Sequence, residues 1–377
     1  MEQQQLMTLL DNAEAAVGQT SWLVTKAEGD DRIDAISRRT ALARPVASGL
    51  QKNAVGHVMV SVCIVNWNSR ELLRRCLRSL LHQPQGVCLE VIVVDNGSWD
   101  GAAEMVAGEF PQVRLVCNRS NRGYATACNQ GAAVARGRYL FFLNNDTEVP
   151  AGALGELVAA AEAHPEGGIF APRLVGSDGM VQGSCRGPLT LAALCHRLGW
   201  LRWTGWFREA YEQYRRGGQG VAQADGLQPV QAVLGCALLV RRDILTAVGG
   251  WDEGYRFGVE DIDLCQRVRR QAGVYYVSHV TVLHHGRVAS RANIGYVMGG
   301  VAAGYIRYLR KAGVSRWALL AYKLAVTADA PVQGVLKLLE GAYRWLVGRR
   351  QDAGRSWLAA RGHWTFLWRE LAHLWWT

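Results

Sequence analysis

No stretch of this 377-residue sequence approaches the roughly 18 apolar residues that span a bilayer; Ala232–Val240 is among the longest runs. A transmembrane anchor is therefore not expected. Met1–Gln5 has neither a basic start nor a following apolar stretch, so no secretory signal is expected either. The sequence contains no C-x-x-C pair among its 9 cysteines, an odd number, and most of them sit inside apolar runs. That pattern excludes a zinc cluster or a disulfide frame and fits buried thiols in a reducing compartment. G-x-G-x-x-G, the Gly-Lys dipeptide of a P-loop and H-E-x-x-H are all missing, which disfavours a classical dinucleotide enzyme and a P-loop phosphotransferase. No helix-turn-helix or zinc-finger spacing occurs, so nucleic acid is not an expected partner.

What is present is unevenly distributed. Apolar residues make up 49% of the chain, enough for a sizeable core. The net charge of +10 lies almost wholly at the C-terminus, where residues 291–377 hold 13 Lys and Arg against 4 Asp and Glu. The same segment carries seven of the 14 tryptophans, among them Trp317, Trp345, Trp364 and Trp376. Cations mixed with Trp, Leu and Tyr at helical spacing suit an interfacial helix on anionic lipid. The alternative is a helical subdomain whose aromatics pack on the rest of the protein. Residues 1–57 show mixed charge and no strand pattern, with one short helix expected near residues 4–16; they read as a partly ordered extension.

From Val58 onward, apolar runs alternate with helical spacing. Strands are expected over Val58–Val65, Val91–Val94, Val113–Cys117 and Tyr139–Leu143, with helices following Leu72 and over Ala125–Ala135. Later segments read as a strand over Val230–Val240, helices over Arg242–Val248 and Glu260–Gln271, and strands over Val274–Val277 and Thr281–Leu283. Strand–helix alternation implies an α/β domain with a mainly parallel sheet covered on both faces. Its ligand crevice then lies beyond the strands' carboxyl ends. Those ends are Asn66-Trp67-Asn68, Asp95-Asn96-Gly97-Ser98, Asn118–Gly123 and Asn144-Asn145-Asp146-Thr147. One polar end is turn chemistry; four together suggest a site.

Each candidate carries a plainer alternative. Asp95 either accepts a hydrogen bond from a nucleotide base or simply starts an Asn-Gly turn. Asp146 either holds a hard divalent cation through oxygen or, with Thr147, caps a helix starting near Pro150. Glu260-Asp261-Ile262-Asp263 opens a helix, where acids favour the dipole, but three acids in four residues exceed what capping requires. Mutual repulsion would raise one carboxyl pKa, which suits a general base. His284-His285 follows a short strand, and one of the pair is a plausible metal ligand.

In this order the motifs resemble the family 2 glycosyltransferases of the GT-A fold. The resemblance runs from Val60–Asn68 and Val94–Ser98 through Asn121-Arg122-Gly123-Tyr124 and Leu143–Thr147 to Gly249–Tyr255, Glu260–Cys265 and Val282–Gly286. It covers residues 59–290 and is nearest to the bacterial rhamnosyltransferase-like enzymes of polysaccharide and cell-wall assembly. It implies a Rossmann-like mixed sheet with helices on both faces, here with a C-terminal helical extension over residues 291–377. It also implies an inverting transfer of rhamnose or a similar hexose from a nucleotide diphosphate donor to an acceptor hydroxyl; the Trp- and Arg-rich tail adds the expectation of a lipid-linked or polysaccharide acceptor, met at the cytoplasmic face of the inner membrane. By the same resemblance Asn66, Asn68, Asp95, Asn96, Arg122, Gly123 and Asn144 are the expected nucleotide-binding residues. Asp146 and His284 would hold Mg²⁺ or Mn²⁺, with His285 possible because the register is ambiguous by one. Asp261 would be the base, supported by Glu260 and Asp263, and Trp251 and Asp252 would border the acceptor. Asn144 stands where many members have the first Asp of an Asp-x-Asp motif, which leaves one carboxylate for the metal. The rival readings are a non-catalytic nucleotide-sugar binder or assembly scaffold, and a nucleotidyltransferase, which would need a Gly- and Arg/Lys-rich loop that Asn66–Ser69 is not.

Overall fold

A computed structural model of the chain describes residues 58–217, 226–286 and 294–377. The extension expected over residues 1–57 and its short helix lie outside the described residues. Alternation begins with β1 (Val60–Asn66) and α1 (Arg70–Leu81), then β2 (Leu89–Asp95), α2 (Ala102–Glu109), β3 (Arg114–Cys117), α3 (Tyr124–Val134) and β4 (Tyr139–Asn144). Next come β5 (Thr147–Glu148), α4 (Ala153–Ala163), β6 (Gly167–Val175), β7 (Val181–Gln182) and β8 (Cys185–Arg186). Three short helices follow, α5 (Leu191–Cys195), α6 (Gly199–Thr204) and α7 (Arg208–Arg216). The domain closes with β9 (Leu227–Pro229), β10 (Ala232–Val233), β11 (Ala237–Arg241), α8 (Arg242–Ala247), α9 (Glu260–Val268) and β12 (Gly273–His284). The C-terminal region is helical: α10 (Ile294–Lys311), α11 (Arg316–Leu346), α12 (Arg350–Thr365), a π-helical turn over Phe366–Glu370 and α13 (Leu371–Trp376).

The main sheet has the order β3-β2-β1-β4-β11-β6-β12-β5, with β7 on β6 and β9 on β12. The first four strands are parallel, β11 runs antiparallel between β4 and β6, and β12 is parallel to β6. This is the mixed α/β sheet, helices on both faces, that a GT-A fold requires. Strand geometry turns alternate side chains to opposite faces. Accordingly Val60, Val62 and Ile64 join the core under α1, α2 and α4, while Cys63, Val94 and Phe142 join the core under α3 and α9. Both faces are dry, which is why the strands read as continuous apolar runs. All nine cysteines are free thiols, and none of them is fully exposed.

The expected capping role of Asp146 or Thr147 does not occur. The helix after Pro150 starts at Ala153 behind a left-handed Gly152, and Thr147 is instead paired with His284 in the ladder of β5 and β12.

Candidate active site

The parallel strands end side by side, and their register sets the site. Asn66 is opposite Asp95 across β1 and β2, and both are buried. The Asn66 side-chain amide donates to Asp95 Oδ1 at 3.0 Å, and the backbone N–H of Ser98 donates to Asp95 Oδ2 at 2.9 Å. Asn145, next to the motif residue Asn144, donates to Asn66 Oδ1 at 2.8 Å. Asn96 ties the loop after β3 to this row. Its Oδ1 accepts from Asn118 and from the Arg122 backbone, and its amide donates to Asn121 and the Gly123 carbonyl. Gly97 permits that approach: its φ is +78°, and a Cβ there would sit 2.6 Å from the Ser120 backbone.

Beyond these ends opens a cleft of about 620 Å³ whose walls include Trp67, Asn96, Asn144, Asp146, Arg186 and His284. Antiparallel pairing of Thr147 with His284 brings Asp146 and His284 together, with His284 Nε2 3.4 Å from Asp146 Oδ1. Gln182 fixes the ring. Its amide donates to the His284 carbonyl at 2.8 Å, so its Oε1, 2.7 Å from Nδ1, faces the ring as acceptor. That leaves Nε2 directed at Asp146, the orientation of a metal-ligating histidine whose other ring nitrogen donates to an acceptor. Burial alone would lower the His284 pKa, but the Asp146 carboxylate, with Cys236 beside it, outweighs burial and pushes it up to about 10. A proton or a cation is thus wanted between the two side chains.

The donor set fits a hard divalent ion. Two donors about 2.1 Å from one ion lie roughly 3 Å apart, close to the spacing seen here. Among the described residues no cluster of three His, Cys, Asp or Glu side chains could hold a metal. Two protein ligands suit an ion completed by substrate phosphate and water. His285 points elsewhere: its ring nitrogens meet Glu148 at 2.8 Å and Ser177 at 2.9 Å.

Beside the cleft wall, Asp261 is half-buried at the start of α9. Its Oδ2 accepts from the Gly235 N–H at 2.8 Å, between the wall residues Leu234 and Cys236, and its Oδ1 from its neighbour Ile262. Burial raises its pKa against the pull of these two N–H groups and of Arg186. Glu260 is buried, its Oε2 has no partner, and burial followed by the Asp261 charge pushes its pKa up to about 8. The two carboxyls titrate as a pair whose first charge opposes the second.

Four expected site residues are placed otherwise. Asp263 is fully buried and turned from the cleft, where it accepts from Arg267 at 2.7 Å and Tyr255 at 3.2 Å and pairs with Lys311. Trp251, 1% exposed, packs edge-on against Phe142 and Tyr124 and cannot border an acceptor. Asp252 is bonded to Arg307 at 2.7 Å and Lys311 at 2.8 Å; burial works against its charge, but these cations hold its pKa well below the usual carboxylate range. Only the backbone of Arg122 joins the asparagine network, while its side chain is exposed. Asn68, at φ +49°, braces the Ser98-Trp99 turn through its backbone N–H and Oδ1, and Gly123, at φ +89°, precedes α3. Sequence reasoning passed over Asn145, Gln182 and Arg186. The first sits inside a quoted motif; the other two lie in a stretch without periodicity.

Residues 61–205 match the family model described as "Glycosyl transferase family 2". That part of the chain is similar to the family 2 glycosyltransferases. Over 215 residues it is 32% identical to an N-acetylglucosaminyl-diphospho-decaprenol L-rhamnosyltransferase of Mycobacterium tuberculosis, a match covering 52% of this chain and 66% of that protein. The chain thus spans just under two thirds of that relative's length. Among solved structures it resembles the mannosyltransferase PcManGT from Pyrobaculum calidifontis, in complex with GDP-Man and Mn²⁺. There the identity is 18% and the TM-score 0.46, covering 89% of this chain and 94% of that one.

Proposed function

We propose that the protein is a metal-dependent, inverting glycosyltransferase that moves rhamnose or a related hexose from a nucleoside diphosphate donor to a hydroxyl of a lipid-linked or growing envelope glycan. The observation that carries this reading is the Asp146–His284 pair in the cleft wall, with the Asp261 carboxylate bonded to Gly235 beside the wall residues Leu234 and Cys236. The likeness to a relative named for rhamnosyl transfer to a diphospho-decaprenol acceptor supports the choice of sugar and of lipid-linked acceptor.

Asp146 and His284 would hold Mg²⁺ or Mn²⁺, which when bound neutralises the charge that develops on the departing diphosphate. Asn66, Asp95 and Asn96 shape the nucleotide end, rigidified by their mutual bonds. Asp261 takes the proton from the acceptor hydroxyl as its oxygen bonds to the anomeric carbon. The bond from that carbon to the diphosphate oxygen breaks, its electron pair leaving with the diphosphate. Attack opposite the leaving group inverts the anomeric centre. Glu260, with its raised pKa, keeps charge low beside Asp261. Among the described residues no helix is long and apolar enough to cross a membrane. The basic C-terminal region supports a peripheral seat on the inner face of a membrane, in a reducing compartment.

The test is release of nucleoside diphosphate from a panel of sugar donors, including TDP-rhamnose, UDP-galactofuranose, UDP-glucose and GDP-mannose, with and without Mn²⁺. One donor should show metal-dependent release that Asp146→Ala and Asp261→Asn each abolish. Release by both variants at the wild-type rate would sink the assigned residues, and no release from any donor would favour a non-catalytic binder.

A further inference from the structure

Helix α11 has an inverted exposure pattern. From Trp317 to Val347 the exposed residues are apolar without exception, among them Trp317, Leu320, Leu324, Val335, Leu339 and Leu346. They recur at intervals of three, four, seven and eleven and so form one stripe on the helix. Its polar residues lie on the flanks or inside: Asp329 is buried, and Lys337 and Arg344 are paired to Glu340 at 2.5 and 2.6 Å. Thirty-one residues make a helix about 46 Å long, so the stripe is far larger than a chance apolar patch.

The stripe has a neighbour from another part of the chain. The Gly199 N–H at the start of α6 donates to the Asp329 carboxylate at 3.0 Å, seating α6 beside α11. This brings in the exposed Trp200, Trp203, Trp206 and Phe207. The same segment, further upstream, supplies Gln182 and Arg186 to the cleft wall.

We propose that the outer stripe of α11, together with the Trp200–Phe207 turn, is a bilayer-binding surface that lies in the plane of an anionic membrane. This deepens the peripheral placement above and rests on that part of the reading alone, not on the transfer chemistry. Charge selects the occupant. Arg316, stacked 5.3 Å from the Trp317 ring, stands at one end of the stripe, and exposed Arg349 and Arg350 stand at the other. Arg202 and Arg208, also exposed, flank the tryptophan turn. A second copy docking on this face by a two-fold axis would set Arg316 against Arg349 and Arg350, cation on cation. Anionic headgroups complement the same ends while Trp and Leu enter the acyl boundary. The buried and paired charges of α11 keep it on the membrane rather than through it.

The test is flotation of the full-length protein with phosphatidylcholine vesicles, with and without 30% phosphatidylglycerol. Binding is expected with the anionic vesicles and should weaken several-fold at about 0.5 M salt. The triple variant Leu324→Gln, Val335→Gln, Leu339→Gln should lose at least about tenfold in partitioning, as should Trp203→Ala with Trp206→Ala. Trp99→Ala, an exposed tryptophan outside this surface, should stay within about twofold. These exposed substitutions should leave thermal unfolding and metal-dependent nucleotide release intact, so failure of the membrane surface is separable from failure of the transferase. Wild-type protein that does not float, or that floats equally after the triple substitution, overturns the proposal. So does light scattering that shows a dimer dissolved by the same substitutions.

Discussion

Asp261 and Asp263 are two residues apart and should respond to the same substitution in opposite ways. Asp263→Asn removes a fully buried charge from Arg267 and Lys311. Breaking one side of a buried ion pair costs about 3–5 kcal/mol, because the remaining cations stay desolvated. Set against a typical stability of about 5–15 kcal/mol, that loss should lower the unfolding temperature by about 5–10 °C. The folded fraction should still turn over within a few-fold of wild type, since Asp263 does not face the cleft. Asp261→Asn keeps one oxygen for Gly235 or Ile262 and removes a carboxylate whose ionisation burial opposes. Its unfolding temperature should hold or rise, while turnover falls by about 10²–10⁴ with the loss of the base. Thermal unfolding and nucleoside diphosphate release, measured on both variants, read the two effects separately. An Asp263→Asn protein as inactive as Asp261→Asn but of normal stability would refute the division of roles, as would Asp261→Asn activity within tenfold of wild type.

Glu260→Gln should raise thermal stability, and more at pH 8.5 than at pH 5. The folded pKa lies above the unfolded one, so the native state binds the extra proton and stability falls as pH climbs from about 4.5 to about 8; equal unfolding temperatures of variant and wild type at both pH values would contradict this. His284→Ala should abolish the response of nucleotide release to added Mn²⁺, whereas His285→Ala should keep it and lose about 1 kcal/mol of stability through its bonds to Glu148 and Ser177. Gly97→Ala should cost about 1–3 kcal/mol, read by chemical denaturation, because it forces a side chain into positive φ against the Ser120 backbone.

The parallel half of the sheet was legible because its strands are buried on both faces and read as unbroken β-branched runs. β6 was not, although it is central. Gly167-Gly168 and Pro172 dilute its pattern, and Pro172 is tolerated only beside the irregular register of β12 near Val277–Thr281. Val230–Val240 read as one strand but is divided at Leu234-Gly235-Cys236, where the chain turns its Gly235 N–H to Asp261. β12 read as two strands, yet its bulge leaves it continuous. Asp146 and His284 were each visible as candidates, but their meeting depends on a two-residue strand pairing that no local pattern announces. Trp251 misled because its motif context suggested substrate, while its size and apolar neighbours bury it. The tail tryptophans were read as a group, and the structure divides them: Trp364 lies over Gly334, packing α12 on α11, whereas Trp317, Trp357 and Trp376 are exposed.

The division of acids in α9 follows from helix geometry. Successive residues turn by about 100°, so positions 261 and 263 lie on nearly opposite sides. Asp261 reaches Gly235 beside the cleft wall; Asp263 reaches Lys311 on α10, where Asp252 already binds Arg307 and Lys311. Arg256 adds a further tie to Glu370, beyond α12. Residue 290 is accordingly a boundary of composition and not of stability: a chain cut there would leave Asp252 without Arg307 and Lys311, and Asp263 with Arg267 alone, at the helix that carries Asp261. The tail is therefore packed on the α/β domain with one face turned outward, and the proposed lipid contacts have to be tested by substitution on that face, not by its removal.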